Sequence, residues 1–177
     1  MSDQANIVEF LKNGNLGQLH LGMSIEDTVA YLGAPDGFTT SNFAKERLHR
    51  VLIQRDTPDV TPLFYGCMEL IFEREQDTLI SIKIQMDEQT QRRLPASLND
   101  DWLAIIDGMS TNEVIQFLDN HLIEWSKFFE MPGVLMLITR SGCVTLTIDL
   151  EDGMDVLYSM IKSKFNLWGI LRASDRV

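Results

Sequence analysis

The chain has 177 residues, 45% of them hydrophobic, with 26 acidic against 15 basic side chains and a formal net charge of −11. That length supports one domain with a real core, or two small half-domains sharing one. An acidic surface has no field to gather phosphate, which argues against nucleic acid and anionic membranes, and no stretch reaches the ~20 apolar residues of a membrane helix.

In chain order, "MSDQANIVEFLKNG" is acidic and amphipathic, without the basic and apolar regions of a secretion signal, so cytoplasmic residence is expected. The stripe Ile7, Val8, Leu11 predicts a helix over Asp3 to Asn13, stopped by Gly14. A second helix follows Gly22-Met23-Ser24, with Ile25, Val29 and Leu32 at the spacing of a buried face. It ends at Gly33, and Pro35-Asp36-Gly37 turns the chain. The long connection beyond carries Lys45, Arg47, Arg50 and Arg55, read as a solvated cationic face.

The run "CMELIFEREQDTLISIKIQM" alternates as a β-hairpin, with Met68, Leu70 and Phe72 on the dry side of one strand and Ile80, Ile82 and Ile84 on that of the other. After a polar linker around Pro95 comes a third helix from Ser110, with Val114, Ile115, Phe117, Leu118 and Leu122 inward. A second hairpin, "GVLMLITRSGCVTLTIDL", puts Val144, Leu146 and Ile148 inward and places Met136 and Ile138 on the outer side, where they could close a homodimer. A last helix is expected from Asp152 to Asn166, with Met154, Leu157, Ile161 and Phe165 on one face and Glu151, Asp152 and Asp155 favouring its N-terminal dipole.

One element is written twice. Gly22-Met23-Ser24 recurs 86 residues on as Gly108-Met109-Ser110, and Asp27, Val29, Tyr31 and Leu32 then meet Glu113, Ile115, Phe117 and Leu118. Gly66 is matched with Gly133 as the residue opening each hairpin. Ser24 and Ser110 suit N-caps, Glu113 completes a capping box that Asp27 only approximates, and Met109 can staple onto Val114 where the first copy has Thr28. Gly22 and Gly108 would enter their helices with positive φ. The expected fold is α+β: two tandem helix-plus-hairpin units, residues 1–94 and 95–177, forming antiparallel sheet with helices on one face.

The residues Gly22-Met23-Ser24, Val29 and Leu32-Gly33-Ala34-Pro35 resemble the signature of the small outer-membrane-assembly lipoprotein family (SmpA/OmlA). That family shares its helix-plus-sheet plan with the β-lactamase inhibitor protein, which has two such units in tandem. The segment Tyr65 to Phe72 is also similar to hairpins of immunity-type proteins. The resemblance implies binding to a protein. The second copy departs from the signature, with Asp119 in place of the glycine, and the chain lacks a lipobox cysteine.

No motif for catalysis, nucleotide binding or a metal stands out. His20, His49 and His121 are scattered, "DLEDGMD" lacks the closing Glu of a calcium loop, and Cys67 and Cys143 read as reduced, largely buried thiols. Trp102, Trp125 and Trp168 read as anchors, with Trp125 beside Phe128 and Phe129 a contact point if exposed. The expectation is therefore a non-enzymatic module without cofactor that binds a basic protein, as an inhibitor or immunity-type protein would. Its site would lie on the sheet face away from the helices: Glu69, Ile71, Glu73, Lys83, Thr145, Thr147 and Asp149. A small-ligand sensor and an envelope-assembly scaffold are the alternatives.

Overall fold

A computed structural model describes residues 7–38, 60–73, 75–86, 93–98 and 103–164. The cationic stretch Lys45 to Arg55, His49, Trp102 and Trp168 lie outside the described residues. The fold is α+β. In order it runs α1 (Ile7–Asn13), α2 (Ile25–Leu32), β1 (Gly37–Phe38), β2 (Val60–Tyr65), β3 (Met68–Glu73), β4 (Thr78–Gln85), α3 (Leu103–Ile106), α4 (Thr111–Asn120), β5 (Trp125–Met131), β6 (Val134–Thr139), β7 (Val144–Asp149), a short 3-10 turn (Glu151–Gly153) and β8 (Val156–Ser163). The strands make one antiparallel sheet in the order β1-β2-β3-β4-β8-β7-β6-β5.

The doubled Gly-Met-Ser starts helices as its chemistry requires. The Ser24 hydroxyl accepts from the Asp27 amide and the Ser110 hydroxyl from that of Glu113, while only Glu113 reaches back to the serine amide, at 2.9 Å. Gly22 and Gly108 have φ of 92° and 71°, and nothing lies near enough to obstruct a side chain there, so conformation alone selects glycine. Each motif also ties its helix to the sheet: the Leu79 amide of β4 donates to the Met23 carbonyl and the Leu157 amide of β8 to the Met109 carbonyl, both at 2.8 Å.

One row of side chains on each of β3, β4, β7 and β8 feeds a single core. Met68, Leu70, Phe72, Leu79, Ile82 and Ile84 join Val144, Leu146, Ile148, Leu157 and Met160, and these cluster with Ile7, Phe10 and Leu11 of α1, Leu32 of α2 and Val114 and Leu118 of α4. Thr28 is fully buried in place of an apolar residue, and its hydroxyl donates to the Ser24 carbonyl at 2.7 Å.

Four expectations are corrected. No helix spans 152–164: the chain there makes a 3-10 turn and then β8, which pairs with both β4 and β7 at the centre of the sheet. The cause is a bulge. Ile148 faces Leu157 while Thr147 faces Ser159, so Tyr158 is an extra residue, and Leu157 and Met160 both reach the core three positions apart, imitating a helical stripe. A matching bulge in β4 sets Leu79, not Ile80, opposite Phe72. Asp155 accepts from the Thr111 amide and hydroxyl at 2.8 and 2.6 Å, so its charge serves the start of α4 rather than a helix of its own. Leu122 is 87% exposed instead of inward.

The match of Gly66 with Gly133 also shifts. Counted outward from the β4–β8 seam, β3 stands level with β7 and β2 with β6. Gly66-Cys67 before β3 therefore occupies the place of Gly142-Cys143 before β7, and "GCMELIFE" lies level with "GCVTLTID".

At both Gly-Cys turns another segment presses on the glycine. A Cβ on Gly66 would meet the Arg93 carbonyl oxygen at 2.1 Å, and one on Gly142 would meet that of Leu11 at 2.3 Å. The segment leading α2 thus lies on the turn of the later strands, and the segment leading α3 and α4 lies on the turn of the earlier ones. Cys67 donates its amide to Arg93 at 3.1 Å, and Lys162 donates its ammonium to the Gly142 carbonyl. Asp36 completes the first turn, accepting from the Gly66 amide at 2.7 Å and from Arg93 at 3.0 Å; burial, then the charge of Asp36, pushes the neighbouring Tyr65 phenol up.

Candidate functional site

The register decides which side chains share the face away from the core. One continuous row crosses seven strands: Phe64, Glu69, Lys83, Ile161, Thr145, Ile138 and Ser126, each opposite the next. Strands spaced about 4.8 Å apart make this row about 29 Å wide. Flanking rows carry Ile71 with Ser81 and Ser163, Thr147 with Ser159, Gln85 and Met136, Glu73 with Thr78, and Asp149 with Val134 and Val156. All seven positions expected from the sequence therefore lie on one face.

They differ in access. Glu69, Ile71, Glu73, Lys83, Thr147 and Asp149 are half-buried, whereas Thr145 is only 4% exposed and, contrary to expectation, presents little to a partner. Ser81, Ser159 and Ile138 are buried too, while Met136 is half-buried.

Two of the three carboxylates on the face stand beside lysines. Lys83 stands 3.8 Å from Glu69, its direct cross-strand neighbour, and Lys164 stands 3.7 Å from Glu73. Opposed pairs of this kind contribute about 0.2–1 kcal/mol and hold long side chains in place. Asp149 accepts from the Glu151 amide at 2.9 Å, fixing the start of the 3-10 turn. Charge is uneven across the seam: Glu69, Glu73 and Lys83 lie on β3 and β4, and the level positions on β7 and β8 are Thr145, Asp149 and Ile161.

Gln85, which the alternation of the first hairpin already puts on the outer side, meets a residue that sequence reasoning missed, its amide donating to the Tyr158 hydroxyl across the seam at 3.1 Å. No signal pointed to Tyr158, because its segment reads as a helix. It also missed β2 and β5, and with β2 the row neighbour Phe64.

The other expected features are dispersed. His20 and His121 are exposed and each bonds a nearby backbone carbonyl, at 2.9 and 2.8 Å. Cys67 is buried as expected, but Cys143 is exposed, and both are free thiols. Trp125 is half-buried with its indole N–H donating to Asp119 at 3.0 Å. Among the described residues no group of three or more His, Cys, Asp or Glu could hold a metal ion, and no helix is long and apolar enough to cross a membrane.

No protein-family model, curated protein or solved structure matches the chain.

Proposed function

We propose that this chain is a non-enzymatic, cytoplasmic protein-binding module for a basic partner. It is built as two tandem helix-plus-strand units with helices on one side of the shared sheet, and the partner lies on the other side. The observation that carries this reading is the row Phe64–Glu69–Lys83–Ile161 with its flanking Ile71, Glu73, Thr147 and Asp149: polar groups and scattered apolar ones on one surface. Such a mixture is the composition of a protein interface. The duplication is supported by the two Met–Leu hydrogen bonds, the two bulges and the two Gly-Cys turns. The net charge of −11 would speed encounter with a cationic partner, while the paired carboxylates at the site serve register and specificity more than raw affinity.

The test is affinity capture from native cell extract with the wild-type chain and a Glu69→Lys, Glu73→Lys, Asp149→Lys variant whose circular dichroism is unchanged. A protein retained by the wild type at low salt, released as salt rises and not retained by the variant is the expected result. Retention of nothing, or of the same proteins by both chains, overturns the reading.

A further inference from the structure

The sheet ends on two unlike margins. One is β1, two residues long; the other is β5, seven residues long, and among the described residues no strand pairs with its outer edge. An outermost strand of that length presents backbone donors and acceptors to any further strand.

β5 carries a bulge, and the bulge decides which strand it can receive. Lys127 faces Leu137 of β6 and Phe129 faces Met136, so Phe128 is the extra residue. Beyond it Glu130 faces Leu135. Leu135 and Leu137 both belong to the core, so Lys127 and Glu130 stand on the same side of the sheet, its core side, where they form an ion pair with side chains 57% and 56% exposed. Three residues apart on a regular strand, they would stand on opposite sides.

That difference matters for a twofold mate. When a strand pairs antiparallel with its own copy about an axis normal to the sheet, residues set opposite each other share a face, and both copies carry the same residues on that face. On a regular strand an axis between two residues would set unlike faces against each other, so only an axis at a residue's own position is open. The bulge of β5 lifts this bar for the axis between Phe128 and Phe129. There Lys127 of each copy falls opposite Glu130 of the other, on one face, and each ammonium stands between its own Glu130 and that of the second copy. Lysine and a bulge ordinarily blunt an edge against foreign strands. A second copy meets both with a match, so the same two features admit it and turn others away.

We propose that β5 is a homotypic contact: two copies pair antiparallel along it, Lys127 opposite Glu130, and join their eight-stranded sheets edge to edge. Both cores then lie on one side of the joined sheet and both outer faces on the other. The contact leaves the outer face open and stands without the partner assigned to it.

The test is sedimentation equilibrium of the full chain over a concentration series. Lys127→Glu and Glu130→Lys chains are run alone, mixed in equal amounts, and combined in one double variant, each with unchanged circular dichroism. The wild type and the double variant are expected to dimerise reversibly, and each single variant at least about tenfold more weakly, since two attractive cross-strand pairs become two repulsive ones. The equal mixture should regain association as a heterodimer, because one chain then sets two carboxylates against two ammoniums on the other. A wild type that stays monomeric throughout, single variants that associate as the wild type does, or a mixture no tighter than its components each overturns the proposal. A dimer that survives both single variants and is lost with Met136→Glu overturns it as well, and would move the contact to the outer face.

Discussion

Glu113 reaches back to the Ser110 amide, while Asp27, one methylene shorter, takes only the Ser24 hydroxyl, at 2.7 Å. Replacing either serine with alanine should lower stability by about 1 kcal/mol, read as the urea midpoint. The second cap also has a pH signature. The backbone bond from Ser110, then the hydroxyl bond, hold the Glu113 carboxyl below its ordinary range in the folded chain. A depressed folded pKa stabilises fully above the unfolded value and is lost as pH falls through the folded one. Glu113→Gln should therefore unfold at lower urea than wild type at neutral pH, and the gap should close in acid. A gap of the same size at pH values well below the carboxylate range would show that the bond to the Ser110 amide is not the cause.

At the scale of elements, the β8 bulge gives the sharpest contrast between pattern and structure. Met154 and Met160 sit six residues apart, one 47% exposed before the strand and the other fully buried within it. Met160→Ala should cost about 3 kcal/mol in thermal or urea unfolding, as large-to-small changes in closed cores do, and Met154→Ala less than about 0.5 kcal/mol. Equal costs would contradict the strand. Much of the architecture is legible in the sequence where period and chemistry agree. Alternation over Met68 to Phe72 and Val144 to Ile148 reports a dry face directly, and Ser-x-x-Glu reports a helix start directly. Legibility fails where one inserted residue changes the period, as Tyr158 does. It fails again at β2, whose "VTPLFY" contains a proline and reads as a connection. Strand order across the seam is a long-range choice that no local window holds, so the face was legible residue by residue while its central row was not. The repeated Gly-Cys was available in the sequence all along. It is two residues long, and the more obvious match of hairpin-opening glycines hid it.

At the scale of the whole molecule, the Gly142 turn locks the halves of the chain together, because Leu11 of the first covers it. Gly142→Ala would drive a methyl into the Leu11 carbonyl, which belongs to backbone and cannot swing away, so it should cost about 3 kcal/mol. Gly22→Ala meets no atom within 4 Å and should cost about 1 kcal/mol, the conformational penalty alone. Because α1 packs on a turn of the other half and both halves feed one core, Gly142→Ala should leave a single unfolding transition, seen together by circular dichroism and tryptophan fluorescence. Two separated transitions would mean that the halves are independent.

The same lock sets an order of events during synthesis. Leu11 leaves the ribosome about 130 residues before the Gly142 turn that it will cover, an interval on the order of ten seconds at ordinary elongation rates. Through that interval Ile7, Phe10 and Leu11 have no finished surface to rest on. Gly66 waits far less, since Arg93 follows it closely in the chain. The nascent first half is thus closed at one turn while α1 still lacks its seat, and the arrival of β7 and β8 completes the burial of α1.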